Sequence, residues 1–101
     1  MIRILFFILL LLSIQSHAGR TAPTIIKHIV VKSDYVEVWT QNTGGSCGNS
    51  AGWHLMNNHP NFDSLYSGFL ASKASNKKVD IVGNGECNGK YEKISWAYVF
   101  M

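Results

Sequence analysis

Two cysteines are the residues of this sequence whose chemistry is easiest to assign. Cys47 and Cys87 each lie in a stretch rich in Gly, Asn and Ser, and they are the only cysteines in the chain. In an oxidising compartment an even pair indicates a disulfide, with two free thiols or half of a metal site as the alternatives. Closing a loop of about 40 residues with a disulfide stabilises the fold by about 4 kcal/mol in the chain-entropy treatment. We predict the disulfide Cys47–Cys87.

The segment Gly44–Gly48 (GGSCG) matches the G-x-S-x-G pattern of a hydrolase nucleophile elbow. That elbow requires a strand-turn-helix at the edge of a large α/β sheet, with Asp and then His later in the chain. Here a Gly/Asn loop surrounds Ser46, and its neighbour Cys47 is expected to be oxidised. The pattern therefore gives little support to a small secreted hydrolase.

Two histidines and a carboxylate, His54, His59 and Asp63, are near neighbours in sequence. Such side chains can bind zinc or another divalent metal. Because Pro60 intervenes, the three do not share a helix face. We expect His54 to point outward on a strand and His59 to lie in a turn, and we predict no metal and no cofactor.

The remaining polar motifs do not indicate an enzyme. Gly83–Glu86 (GNGE) resembles a Gly-rich phosphate loop, but that motif needs a helix after it and a strand is predicted here. Asp34 is typical of a turn, and three further carboxylates are expected to point outward: Glu37, Asp80 and Glu92. None of these forms a pair of the kind used in glycoside cleavage.

Aromatic residues are the more suggestive set. Tyr35 and Trp39 share the strand face opposite Val36 and Val38, and the sequence leaves that face either exposed or covered. An exposed aromatic strip favours sugar stacking or a protein interface, so Tyr35 and Trp39 are our candidate ligand-binding residues. Four other aromatic residues are expected in the core: Trp53, Trp96, Tyr98 and Phe100.

Six elements must position these side chains, in the order β-β-β-α-β-β. The five predicted strands, rich in β-branched or alternating apolar residues, are Thr24–Lys32, Tyr35–Gln41, Trp53–Met56, Lys78–Gly83 and Tyr91–Met101. The helix carries one apolar stripe at helical spacing, formed by Phe62, Leu65, Tyr66, Phe69 and Leu70. Asn61 or Asp63 can cap this helix and Asn76 can end it.

This element order predicts a mainly β domain with one helix (α+β). A small OB-like five-stranded Greek-key barrel has its helix between the third and fourth strands, as here. The alternative is a flat α+β sheet covered by the helix.

The first 18 residues predict a cleavable signal peptide. Arg3 provides a positive start, Ile4–Leu12 contains no polar residue, and Ser16 and Ala18 give the small-x-small pattern before a cut after Ala18. A membrane-spanning helix needs about 20 apolar residues, so an uncleaved anchor is the less favoured alternative. We predict a periplasmic or secreted protein.

Cleavage would leave one domain, Gly19–Met101, with no second stretch long enough to span a membrane. Its basic residues are scattered, and the only doublet is Lys77-Lys78. A surface that binds the phosphate backbone of a nucleic acid needs clustered positive charge, so we expect no nucleic-acid partner.

Several features occur together along most of the chain: the signal peptide, Cys47, Trp53-His54-Leu55, a helix over Phe62–Ala74, Lys77–Ile81, Cys87 and a closing strand from Ile94. In this layout the chain resembles small exported bacterial OB-fold proteins, and it is similar to the receptor-binding B subunits of AB5-type toxins of the pertussis and subtilase cytotoxin groups. The resemblance implies a homo-oligomer, a pentamer, that binds cell-surface glycans. The mature chain is short for such a subunit, and no sugar-contacting residue is carried over.

Three functions are compatible with these observations. The first is an exported non-enzymatic binding module that recognises a glycan or a protein surface. The second is a monomeric periplasmic inhibitor or assembly factor that acts on one protein partner. The third is the small secreted hydrolase.

Overall fold

The computed structural model of the protein describes residues 18–100. The predicted signal peptide lies outside the described residues, except for Ala18. The five strands are β1 (Thr24–Val31), β2 (Tyr35–Thr40), β3 (Gly52–Met56), β4 (Lys78–Asn88) and β5 (Tyr91–Val99), and the helix is α1 (Phe62–Ser75). The predicted order of elements is confirmed. Within residues 18–100, no helix has the length and apolar character needed to cross a membrane.

The sheet closes on itself in the strand order β1-β2-β3-β5-β4. The closure is a short antiparallel pairing of β1 with β4 at Thr24–Val79 and Ile25–Lys78. Strands β3 and β5 run parallel, and the other neighbours run antiparallel. This closed five-stranded arrangement, with α1 inserted between β3 and β4, confirms the predicted OB-like fold and excludes the flat sheet.

Every strand and the helix contribute to one apolar core. The buried residues of this core are Ile26, Val36, Val38, Trp53, Leu55, Phe69, Val79, Ile81 and Ile94. Trp53 is fully buried, as predicted. In α1 only Phe69 of the apolar stripe is fully enclosed, and Leu70 remains 44% exposed. Asn76 ends the helix in the left-handed conformation, as predicted for this residue type.

One extra residue in each of two strands reverses which side chains face the core. In β1 the bulge is at Lys27, because Ile26 lies opposite Thr40 while His28 lies opposite Trp39. In β5 the bulge is at Ser95, between Ile94 and Trp96. A bulged residue shifts the alternation of all later side chains.

The Ser95 bulge overturns the prediction that the last aromatic residues are in the core. Before it, Glu92 and Ile94 face inward, whereas after it Ala97 and Val99 pack against the core. The side chains that alternate with Ala97 and Val99 therefore turn to solvent. Their exposed fractions are 43% for Trp96, 50% for Tyr98 and 45% for Phe100.

The predicted disulfide is confirmed. Cys47 and Cys87 are bonded, with their Cα atoms 5.9 Å apart. Cys47 lies in the loop between β2 and β3, but Cys87 lies within β4, which is longer than predicted and continues to Asn88. The bond therefore fastens a long loop to a strand of the barrel.

Candidate functional site

The predicted binding residues Tyr35 and Trp39 lie on the outer face of the barrel in a group of stacked rings. Tyr35 stacks on His54 with ring centroids 4.0 Å apart, and His54 stacks on Tyr91 at 4.3 Å. Trp39 meets Tyr91 edge-on at 5.7 Å and stacks on His28 at 5.4 Å. We call these five rings the His54 cluster: His28, Tyr35, Trp39, His54 and Tyr91.

His54 points outward from β3, as predicted, yet it is only 2% exposed because Tyr35 and Tyr91 enclose its ring. Its Nε2 lies 2.9 Å from a Glu37 carboxylate oxygen, and its Nδ1 lies 2.9 Å from the Asn88 side-chain nitrogen. An acceptor on one side and a donor on the other assign the neutral tautomer that carries its proton on Nε2. Burial lowers the pKa of His54, and the Glu37 carboxylate only partly offsets this effect.

Glu37 connects two rings of the His54 cluster, Trp39 and His54. Its carboxylate accepts hydrogen bonds from the Trp39 indole at 2.6 Å and from His54. Burial would raise the pKa of Glu37, but the hydrogen bonds from Trp39 and His54 outweigh it, so the pKa lies below its usual range. A neutral imidazole beside a carboxylate can act as a general base when its second nitrogen is free. Here Asn88 occupies that nitrogen, so the arrangement holds rings in place.

The G-x-S-x-G segment does not form a nucleophile elbow. Ser46 donates its hydroxyl to Glu92 at 2.9 Å and its backbone N–H to the same oxygen at 2.7 Å. Cys47 is in the disulfide. Glu92 was expected to point outward but is fully buried. The GNGE segment lies inside β4 and makes no strand-to-helix turn, so it does not form a phosphate loop.

His59 and His54 do not converge on a metal site. The His59 Nε2 donates to the backbone carbonyl of Ser95 at 2.7 Å, and its Nδ1 accepts from the backbone N–H of Asn61 at 2.9 Å. Both ring nitrogens are therefore occupied. Asp63 lies in the first turn of α1. Over residues 18–100, no three side chains of the metal-binding types form a group.

The strongest candidate site was missed from the sequence and lies around the end of β5. The ring centroids of Trp96 and Tyr98 are 4.9 Å apart, and the two ring planes are at 79° to each other. The Phe100 ring centroid lies 6.3 Å from that of Tyr98. The guanidinium of Arg20 lies 5.7 Å from the Tyr98 ring centroid, a distance typical of a cation–π contact. We call these four residues the β5 strip: Arg20, Trp96, Tyr98 and Phe100.

Asp80 fixes the position of Arg20. It lies opposite Tyr98 in the β4–β5 pairing and thus on the outer face, as predicted, but Arg20 covers it. The Asp80 carboxylate accepts from Arg20 Nε at 3.0 Å and from Nη2 at 2.7 Å. This two-point contact sets the guanidinium plane, while the Arg20 side chain stays 52% exposed.

One sequence signal could have located the β5 strip. From Ile94 onward both faces of the strand carry apolar or aromatic residues, and Ser95 is the one exception. Ala97 and Val99 could therefore face the core as well as Trp96 and Tyr98. Alternation alone does not decide between the two sets, because a single bulge exchanges them.

Comparison of the chain with protein-family models, curated proteins and solved structures gives no significant match.

Proposed function

We propose that the protein is an exported, non-enzymatic binding module that recognises a protein surface through the β5 strip. The observation that carries this proposal is a row of three neighbouring aromatic side chains, two at the end of β5 and one directly after it, each 43–50% exposed. Large contiguous apolar patches are rarely left exposed on monomeric proteins, and those that are exposed often mark interaction sites. Tryptophan, tyrosine and arginine, all present in the β5 strip, are the residue types that contribute most to protein interfaces.

The ring geometry favours a protein over a glycan. Trp96 and Tyr98 are nearly perpendicular, with 79° between their planes, so they do not offer one flat surface on which neighbouring sugar rings could stack side by side. An uneven apolar ridge suits a complementary pocket on another protein. Because Asp80 already fixes Arg20, a partner would find this donor in place, and binding would lose less side-chain entropy.

Export rests on the signal-peptide pattern together with the disulfide. Structural disulfides persist in the periplasm and outside the cell and are rare in the cytosol, and the Cys47–Cys87 bond is present here. The inhibitor or assembly factor predicted from the sequence is one form of this proposal, with a monomer acting on one partner. A glycan-binding pentamer, which the toxin resemblance implies, is the competing form.

The test is capture of a partner from a periplasmic or culture extract by the oxidised mature protein. The double variant W96S/Y98S should lose the partner, whereas V31S should keep it, because Val31 is an exposed apolar residue outside the strip. A matched variant, Y35A, asks whether the predicted Tyr35–Trp39 face contributes. Equal capture by wild type and W96S/Y98S would refute the β5 strip.

Two further measurements separate the glycan from the protein form. Light scattering after size-exclusion chromatography distinguishes a monomer from a pentamer. A glycan array then asks whether the protein binds sugars and whether Y35A or W96S/Y98S removes that binding. A pentamer whose glycan binding depends on Tyr35 would replace the present proposal with the toxin-subunit function.

A further inference from the structure

The carboxylate of Glu92 lies fully inside the protein and is surrounded by hydrogen-bond donors. It accepts from the backbone N–H of Gly19 at 2.9 and 3.1 Å, and from that of Gly85 at 2.9 Å. The backbone and hydroxyl of Ser46 complete the set. Every neighbour is a donor, which matches the acceptor-only character of an ionised carboxylate.

No cationic side chain balances this buried charge within the described part of the chain. The ion pairs found over residues 18–100 are Arg20–Asp80 and Lys93–Glu86. A buried carboxylate is costly unless it is both hydrogen-bonded and paired with a positive charge. Its hydrogen bonds are made, so a positive charge is what the Glu92 site lacks.

The Gly19 nitrogen is the one donor at this site that proteolysis would turn into a cation. The predicted signal-peptide cut lies between Ala18 and Gly19, and Ala18 is exposed. Hydrolysis breaks the C–N bond of that peptide. The hydroxyl of water joins the Ala18 carbonyl carbon to give a carboxylate, and the Gly19 nitrogen takes up protons to become an ammonium.

We propose that this new terminal ammonium is the missing partner of Glu92, so that removal of the signal peptide completes the fold. The proposal rests on the export proposed above and adds a structural role for the cut itself. It assigns Glu92, on the last strand, as the receptor for the mature amino terminus.

Gly19 is already held where this ammonium is needed. Its carbonyl accepts from the Gly83 N–H at 2.8 Å, and the next residue donates to the Gly44 carbonyl at 3.3 Å. A Cβ on Gly19 would collide with the Gly44 carbonyl and with the Glu92 carboxylate. Only glycine therefore fits directly after the cut, and the nitrogen needs no movement to form the ion pair.

The pairing also links Glu92 to three separate segments, two of them distant in sequence. Glu92 receives donors from the start of the mature chain, from the loop that holds Cys47, and from β4. A charged hydrogen bond at Gly19 is stronger than the neutral one that an uncut chain makes. The mature chain should therefore unfold less readily than a chain that keeps residues before Gly19.

The experiment compares two oxidised proteins, one that begins at Gly19 and one that begins at Ala18. They differ by one exposed residue, but only the first places its ammonium at Glu92. In urea at pH 7 the unfolding equilibrium constant of the Gly19 chain should be smaller by roughly tenfold, as expected for a charged in place of a neutral hydrogen bond. Equal constants for the two chains would overturn the proposal.

A matched pair carrying E92Q should lose the difference between the Gly19 and Ala18 starts. If E92Q does not fold, acetylation of the Gly19 amine provides the second comparison, because it removes the charge and leaves Glu92 intact. The acetylated chain should then match the Ala18 chain in stability. An acetylated chain as stable as the free amine would refute the ion pair.

Mass spectrometry of the exported protein separates this proposal from the proposed function. A mature chain that begins at Gly19 without any stability difference would leave export standing and remove the ion pair. A mature chain that begins elsewhere would remove the proposed role of the cut. Loss of partner capture at the β5 strip has no bearing on either result.

Discussion

The imidazole of His59, in the loop before α1, donates to the backbone carbonyl of Ser95, the residue that bulges from β5, at 2.7 Å. The same ring accepts from the Asn61 backbone. One side chain therefore joins the start of the helix to the bulge that turns Trp96 and Tyr98 toward solvent. The binding surface proposed for β5 depends on this bulge.

Replacement of His59 tests the support of the bulge. H59A removes both hydrogen bonds, and we expect the free energy of unfolding to fall by about 1–3 kcal/mol, because the Ser95 carbonyl loses its partner. Urea unfolding followed by tryptophan fluorescence measures this loss. K77A, at an exposed side chain beyond the helix, is the control and should change stability by less than about 0.5 kcal/mol. A loss no larger than that of K77A would contradict a supporting role for His59.

His54 should make the fold sensitive to mild acid. A histidine side chain in the unfolded chain has a pKa of about 6.5, whereas burial lowers the pKa of His54 in the folded protein. As the pH falls through the pKa of the unfolded state, the His54 side chain takes up a proton in the unfolded chain but not in the folded protein. The free energy of unfolding therefore decreases, by up to about 1.4 kcal/mol per pH unit for one proton. Glu37, whose pKa is also lowered, adds a loss in the same direction at lower pH.

Urea unfolding at several values between pH 5 and 8 measures this dependence. H54Q, which retains a side-chain donor for Glu37, should flatten the decrease around pH 6. H28Q is the control, because the His28 side chain is exposed at the edge of the His54 cluster. Identical slopes for wild type and H54Q would show that another group is responsible.

Glu37 should matter more than an exposed carboxylate. E37Q removes the charge that accepts from Trp39 and His54, and we expect a loss of about 1.5–3 kcal/mol, the usual range for charged hydrogen bonds. E86Q is the matched control, since Glu86 is 70% exposed and pairs with Lys93 only at 3.5 Å. Thermal unfolding of both variants gives the comparison. A loss in E37Q that does not exceed that in E86Q would refute the proposed role of Glu37 in holding the cluster.

The disulfide should account for much of the stability of this small domain. C47S/C87S opens a loop spanning a sequence separation of 40 residues, and the expected loss is about 4 kcal/mol. The same change frees the segment of Ser46, which donates to Glu92. Unfolding of the wild type with and without a reducing agent, beside the double variant, measures the effect. Equal stability of the oxidised and reduced proteins would contradict the predicted contribution of the disulfide.

The sequence by itself determined the element order and the disulfide, and it favoured the OB-like barrel over a flat sheet. Each of these follows from local signals. The periodicity of apolar residues that distinguishes a strand from a helix is visible within a few consecutive residues, and Gly/Asn-rich loops mark where each element ends. Two cysteines allow only one disulfide pairing. The burial of Trp53 and the end of α1 at Asn76 were predictable for the same reason.

Only the tertiary structure decided which side chains meet solvent and which meet each other. The Ser95 bulge exposes Trp96 because one extra residue reverses the alternation of a strand that is apolar on both faces. Glu92 is buried because its donors come from residues far apart in sequence, Gly19 and Ser46 among them. Such contacts arise when the barrel closes and brings distant segments together, and no local pattern encodes them.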